Sequence, residues 1–177
     1  IAVSRGLGDV YKRQHVDFHE QGINEPYYFA PAAEPYHEVI TKWQRDFQYM
    51  IGKNNAKYFD ENGWLYFTKE IFDLLYPSYG DTYPTYLGAI GMTYEQAGGG
   101  IAGLGILNSE GKNLTLVDRV RHNTVAGIST IEISSANSKK LNEEFNKFFI
   151  NNNNVNYIIN GDSDKINQLS EFLSKHK

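Results

Sequence analysis

The chain has 177 residues, a formal net charge of −4 and a hydrophobic fraction of 41%, enough for one core-forming domain or one domain and part of another. A pI near 5.7 and a mean hydropathy of −0.51, with no Lys/Arg cluster and no long apolar run, argue against a nucleic-acid footprint and a membrane-spanning helix. The lack of cysteine excludes disulfides and thiolate metal sites, and 13 tyrosines point to an aromatic core or to a tyrosine-lined groove for peptide or sugar.

Residues 1–14 show no initiator Met, no apolar leader and no periodicity. They read as a non-native, adapter-like segment (GDVYKRQ), so native sequence is expected to begin near His15, in mid-domain. Residues 15–19 alternate, with His15, Asp17 and His19 on one face and Val16 and Phe18 on the other, which predicts a strand. Residues 21–25 break it. Residues 26–30 form a second short, aromatic strand, stopped by Pro31. Residues 34–54 carry Val39, Ile40, Trp43, Phe47, Met50 and Ile51 at helical spacing, which predicts an amphipathic helix. A loop is expected over 59–64 and a strand over 65–67.

Residues 76–88 are rich in Tyr, Pro and Gly and read as an irregular, functional loop. A buried strand is expected over 89–95. The glycines at 98–100 and 103–105 lack the Lys-Ser/Thr and the spacing of a phosphate or dinucleotide loop. Residues 115–133 place Val117, Val120, Thr124, Gly127, Ile128 and Ile131 on one stripe, which predicts a packed helix with a close approach at Gly127. A further helix follows over 139–150. A buried strand over 155–159 and a helix capped by Asp162, carrying Ile166, Leu169, Phe172 and Leu173, close the chain. The expected fold class is α/β, a mixed sheet with helices on both faces. Residues 15–150 form the main unit, and 151–177 begin a following α/β domain.

A hydrolytic zinc site needs three protein ligands, an open position for water and a base within reach. His19 ends a strand, shares a face with Asp17 and precedes a turn that exposes its ring. A hydrogen-bonded strand-end histidine fits that placement as well. Glu95 sits in a buried-looking strand, where its charge must be compensated. An ion pair with Arg119 or Arg121 would do so, and so would catalytic use. His37 and His176 are expected on helices in solvent, and His122 on a helix, buried or exposed.

The ordered set VDFHEQG, YYFAP, YPSYGD and GAIGMTYEQ resembles the C-terminal part of the catalytic domain of carboxypeptidase A-like zinc carboxypeptidases, bacterial members among them. TLVDRVRHN resembles their terminal helix, and the likeness spans about residues 15–149. It implies His19 as a zinc ligand and Asp17 as the carboxylate orienting its ring. It implies Glu95 as the base that activates the zinc-bound water and passes the proton to the leaving amine. Tyr76, of the pattern Tyr, three residues, Gly, matches the mobile tyrosine of that family, with Tyr79 the second choice, in contact with substrate. Glu20 stands where animal members have Ser and is assigned to substrate contact.

The resemblance further implies one Zn²⁺ in the full-length parent, a peptide substrate, and a periplasmic or extracellular location. None of His15, His19, His37, His122 and His176 begins a His-x-x-Glu pair. The first two ligands and the carboxylate-holding residues are therefore expected in a missing N-terminal part. Two other readings remain beside this one. One is a glycan- or peptide-binding module using the tyrosine-rich loop, and the other is a different metal hydrolase using His15, Asp17 and His19.

Overall fold

The computed structural model describes residues 13–150 and 158–175. In chain order they form β1 (Gln14–Gln21), β2 (Tyr27–Tyr28), α1 (Lys42–Asn62), β3 (Tyr66–Phe67), α2 (Thr82–Tyr86), β4 (Ile90–Ala97), β5 (Gly105–Leu107), β6 (Asn113–Thr115), α3 (Leu116–Ala136), α4 (Ser138–Ile150) and α5 (Ser163–Ser174). Four strands make one mixed sheet in the order β1-β4-β2-β3, and β5 pairs with β6 in a separate hairpin. β4 is apolar along most of its length and almost wholly buried. β1 runs parallel to it, from Gln14 opposite Ile90 to Gln21 opposite Ala97. On its other side β4 meets β2 antiparallel, with Tyr28 opposite Glu95. β1 is thus an edge strand among the described residues.

Side chains alternate across β4. Ile90, Met92 and Tyr94 join Phe29, Phe47, Ile51, Phe59 and Ala126 in the main core, so α1 and α3 cover that face. Burying each large apolar side chain contributes about 1.5–3 kcal/mol. The opposite face carries Gly91, Thr93 and Glu95. There a Cβ on Gly91 would stand 1.8 Å from the Asp81 carbonyl, at the start of α2. The molecule is therefore a mixed sheet with two long helices on one face and the short α2 on the other.

α1 begins at a capping box, in which Thr41 accepts from the Gln44 amide while the Gln44 side chain accepts from the Thr41 amide. It ends at Gly63, whose φ of 67° suits a left-handed C-cap. The helix expected over 34–54 is thus displaced toward the C-terminus, and residues 59–62, expected in a loop, are its last turn. The apolar spacing misled because Val39 and Ile40 pack before the helix starts. The side chains of Gln44, Gln48 and Asn55 all point inward and are buried. Gln44 Nε2 donates to the carbonyls of Thr85 and Ala89 (2.7 Å each), and Gln48 Nε2 donates to that of Gly91 (2.8 Å). These amides satisfy carbonyls that would otherwise be orphaned in the core.

The expectation for α3 is reversed. Val117 and Ile131 are 66% and 67% exposed, and Val120 and Ile128 also face outward. The buried residues of the helix are Arg119, Ala126, Ser129, Thr130 and Ser134. These mostly small side chains let α1 approach closely, and Asn54 Nδ2 reaches both the carbonyl and the hydroxyl of Ser129 (3.2 and 2.9 Å). Gly127 marks no tight contact, since a Cβ there would meet only the Phe18 ring at 3.5 Å.

Asp162 caps α5 by accepting from the amides of Asp164 and Lys165, and none of the residues of α5 is buried. Of the strand expected over 155–159, residues 155–157 lie outside the described residues, and Ile158 and Ile159 are not in a strand. Residues 1–12 of the segment expected to be non-native also lie outside. Gln14 opens β1, and the Arg13 carbonyl accepts from the Ile90 amide (2.9 Å). No helix among the described residues is long and apolar enough to cross a membrane.

Gly52 gives a direct test of the contact between α1 and the sheet. A Cβ there would stand 2.3 Å from the Ala30 carbonyl oxygen. Helix propensity alone favours Ala over Gly by about 1 kcal/mol, whereas overpacking against rigid backbone costs about 1–3 kcal/mol. Gly52→Ala should therefore lower the urea midpoint. An unchanged or raised midpoint would show that α1 does not pack this closely.

Candidate active site

The β1/β4 register builds the site. It sets His19 opposite Glu95 and Asp17 opposite Thr93, all on the sheet face away from α1. The His19 Nδ1 stands 3.5 Å from Glu95 Oε1. The His19 side chain is 63% exposed and that of Glu95 only 7%, so an accessible imidazole covers a buried carboxylate. Glu95 Oε2 is buried with no hydrogen-bond partner. Burial pushes the Glu95 carboxyl above its ordinary range. His19 draws it back down, and Asp17 and Asp81 push it further up. An unpaired buried carboxylate is costly, and a carboxylate held in this way is a competent proton acceptor.

Both groups line a cavity of about 410 Å³ whose walls include Asp17, Asp81, Thr93 and Tyr79. Asp81 is buried at the head of α2. Its Oδ2 accepts from the Thr93 hydroxyl (2.8 Å) and its Oδ1 from the Thr82 hydroxyl (3.1 Å). Ile71, also at the cavity wall, has a φ of 65°. That conformation is rare for a β-branched residue. Strain of about 1–3 kcal/mol of this kind concentrates in functional loops.

Of the residues expected at the site, His19, Glu95, Asp17 and Tyr79 line this one cavity. Tyr76 is not in its wall; its ring packs edge-on against Tyr79, centroids 5.0 Å apart, and both rings are exposed. Asp17 does not meet the imidazole as expected. Its carboxylate closes over Gly80, where a Cβ would stand 2.6 Å from Oδ2, while the His19 Nδ1 faces Glu95.

Glu20 is on the opposite face of β1 and is not in the cavity. It accepts from Arg119 Nη1 (3.0 Å) and from the Gly100 amide (2.9 Å), and Arg119 also donates to the Gly103 carbonyl. This latch accounts for the glycine run. A Cβ on Gly98 would stand 2.6 Å from Glu20 Oε1, and Gly99 and Gly100 take φ of 52° and 69°. The ion pair considered for Glu95 does not form with Arg119, which is committed to Glu20, nor with Arg121, which lies over the Trp64 ring at 6.0 Å.

The other histidines are elsewhere. His37 precedes α1 rather than lying on a helix, and its Nδ1 accepts from the Val39 amide (3.2 Å). His176 is outside the described residues. His122 is half-buried, with Nδ1 2.8 Å from Gln96 Oε1 and its ring 4.4 Å from that of Trp64. No three His, Cys, Asp or Glu residues among those described are arranged to hold a metal. The exposed ring of His19 and the unpartnered Glu95 oxygen suit one ligand and one base beside a hydrolytic ion. A zinc site needs three ligands, so the described residues do not complete one alone. Asp81, Thr93, Asp73 and Ile71 were not foreseen at the cavity. Thr93 was readable as the same-face neighbour two positions before Glu95. Asp81 directly follows the YPSYG run.

Burial holds the His122 pKa below the ordinary histidine value, Asp118 raises it and Arg121 lowers it. The unfolded chain therefore takes up this proton first, and stability is lost as pH falls through the ordinary histidine pKa of about 6.5. His122→Gln should melt lower than the parent chain at pH 7.5, having lost the ring packing. It should also lose less melting temperature between pH 7.5 and 5.5. Equal acid slopes in the two proteins would remove His122 as the titrating group.

No family model, no curated protein and no solved structure matches the chain.

Proposed function

We propose that the chain is the C-terminal part of the catalytic domain of a zinc metallocarboxypeptidase, an exported enzyme that hydrolyses C-terminal peptide bonds. The observation that carries this reading is the approach of His19 to Glu95, 3.5 Å apart across parallel strands, at a cavity that Tyr79 also lines. The ordered motifs around these residues support it. The remaining zinc ligands and the groups that hold the substrate carboxylate come, in this reading, from sequence outside this chain. In this reading α5 belongs to a following α/β domain.

His19 would hold the ion through a ring nitrogen. Zinc, when bound, acidifies water and polarises a carbonyl. Glu95, desolvated in its strand, would accept the proton of that water and return it to the leaving amine. Tyr79 lies against the substrate at the cavity wall, and Tyr76 packs behind it and sets its position.

The 177-residue chain alone should release no C-terminal residue from peptides, because one histidine does not hold a catalytic zinc. Chelator-sensitive hydrolysis by the purified chain would overturn this. In the complete enzyme, Glu95→Gln should lower kcat by about 10²–10⁴-fold with zinc retained, as metal analysis would show. His19→Ala should lose zinc instead, and Tyr76→Phe and Tyr79→Phe should act mainly on KM. Near-normal turnover of Glu95→Gln would refute Glu95 as the base.

A second reading, a peptide- or glycan-binding module, draws on the exposure of Tyr76, Tyr79 and Tyr83. It requires ligand binding by the complete protein that a chelator leaves unchanged.

A further inference from the structure

The sequence contains two Asn-Gly pairs, Asn62-Gly63 and Asn160-Gly161, and the fold treats them in opposite ways. An asparagine followed by glycine can close on itself. The glycine amide nitrogen attacks the asparagine side-chain carbonyl carbon, and the missing Cβ leaves that approach open. The attack needs an unbonded amide, an unbonded carboxamide and a backbone able to turn. Asn62-Gly63 has none of these. Asn62 is the last residue of α1, and Gly63 is its C-cap. The Gly63 amide donates to the Asp60 carbonyl (3.1 Å), and Asn62 Nδ2 donates to the Tyr58 carbonyl (2.8 Å). Nucleophile and electrophile are both tied back into the helix end. Asn160-Gly161 lies outside any helix or strand, just before the Asp162 cap of α5, and both residues are exposed. Neither the Gly161 amide nor the Asn160 side chain has a hydrogen-bond partner among the described residues. A Cβ added at Gly161 would meet nothing within 4 Å, so no neighbour crowds the pair.

We propose that Asn160 is a self-modification site, which the folded chain converts to aspartate and isoaspartate while Asn62 is kept. The Gly161 nitrogen gives up its proton and bonds to Asn160 Cγ, and the carboxamide nitrogen leaves as ammonia. Water then opens the cyclic succinimide at either carbonyl, giving aspartate or isoaspartate. The net change is water in and ammonia out, with nothing oxidised or reduced. Each event makes the chain one unit more negative than its formal −4. The new carboxylate stands two residues before the Asp162 cap, near the positive end of α5, where negative charge is favourable. Isoaspartate also routes the main chain through an added methylene at that junction. Neither His19 nor Glu95 takes part in the step.

The test incubates the purified chain at mildly alkaline pH, folded and in denaturing guanidinium chloride. Anion exchange separates the more acidic product, and peptide mapping by mass spectrometry with isoaspartyl labelling locates it. In the folded chain Asn160 should react about tenfold or more faster than Asn62, which must first give up two hydrogen bonds. In guanidinium the two pairs should react at similar rates. Gly161→Ala, whose new methyl group meets open space, should keep the melting temperature and lose the acidic product. An intact Asn160 in the folded chain overturns the proposal, as does Asn62 reacting equally fast, or an acidic product that forms undiminished in Gly161→Ala. A rate gap that persists in guanidinium also overturns it, since the flanking residues and not the fold would then set the preference.

Discussion

The pairing of β1 with β4 is the constraint on which the site depends. Side chains alternate with a period of two, so a slip of one residue would send His19 and Glu95 to opposite faces of the sheet. Two devices hold the register. Gln21 Nε2, at the end of β1, donates to the Glu95 carbonyl (3.2 Å) and to the Pro26 carbonyl (2.6 Å). One residue earlier, Glu20 is latched to Arg119 and to the glycine turn that follows β4. The glycine run after β4 thus serves as a socket for a carboxylate on the far face. That face holds the strand still so that the near face can bring imidazole and carboxylate together.

β4 is also tied from the helix side. Gln44 and Gln48 of α1 bond the carbonyls of Ala89 and Gly91, and Tyr94 OH shares a 2.6 Å hydrogen bond with Thr130 of α3. Polar groups buried in this way are stabilising only when satisfied. Those on the core face are largely satisfied, while Glu95 and Asp81 on the other face are held without a cation. The two faces of one strand therefore play different roles. One is largely paired, and the other keeps Glu95 Oε2 without a partner.

Much of the strand pattern was legible. The alternation of residues 15–19 and the apolar run of residues 89–95 correspond to β1 and β4, because half-buried and buried strands leave direct traces in hydrophobicity. The juxtaposition of His19 and Glu95 was suggested by motif order, while the tyrosines and acids around them depended on loop geometry that periodicity does not encode. The α3 stripe misled for a physical reason. Val117, Val120, Ile128 and Ile131 form a good apolar face, but the core is entered by Ala126, Ser129 and Ser134, whose small size allows close helix contact. Periodicity identifies a stripe and does not say which side is covered. The start of α1 was missed because the capping box at Thr41 outweighs the apolar residues before it. Glu20 was misplaced because its partner lies 99 residues away.

Among the described residues β1 is held along one edge only, by a partner strand some 76 residues further along the chain. Contacts that distant close late in folding, after the loop entropy between them has been lost. The β1–β4 pairing closes one of the longest loops among the described contacts, from Gln14 to Ile90. As an edge strand β1 is also open to local detachment. Whatever chemistry His19 and Glu95 perform depends on the docking of this one edge strand. A partly folded chain would keep nearly all its core and have no site.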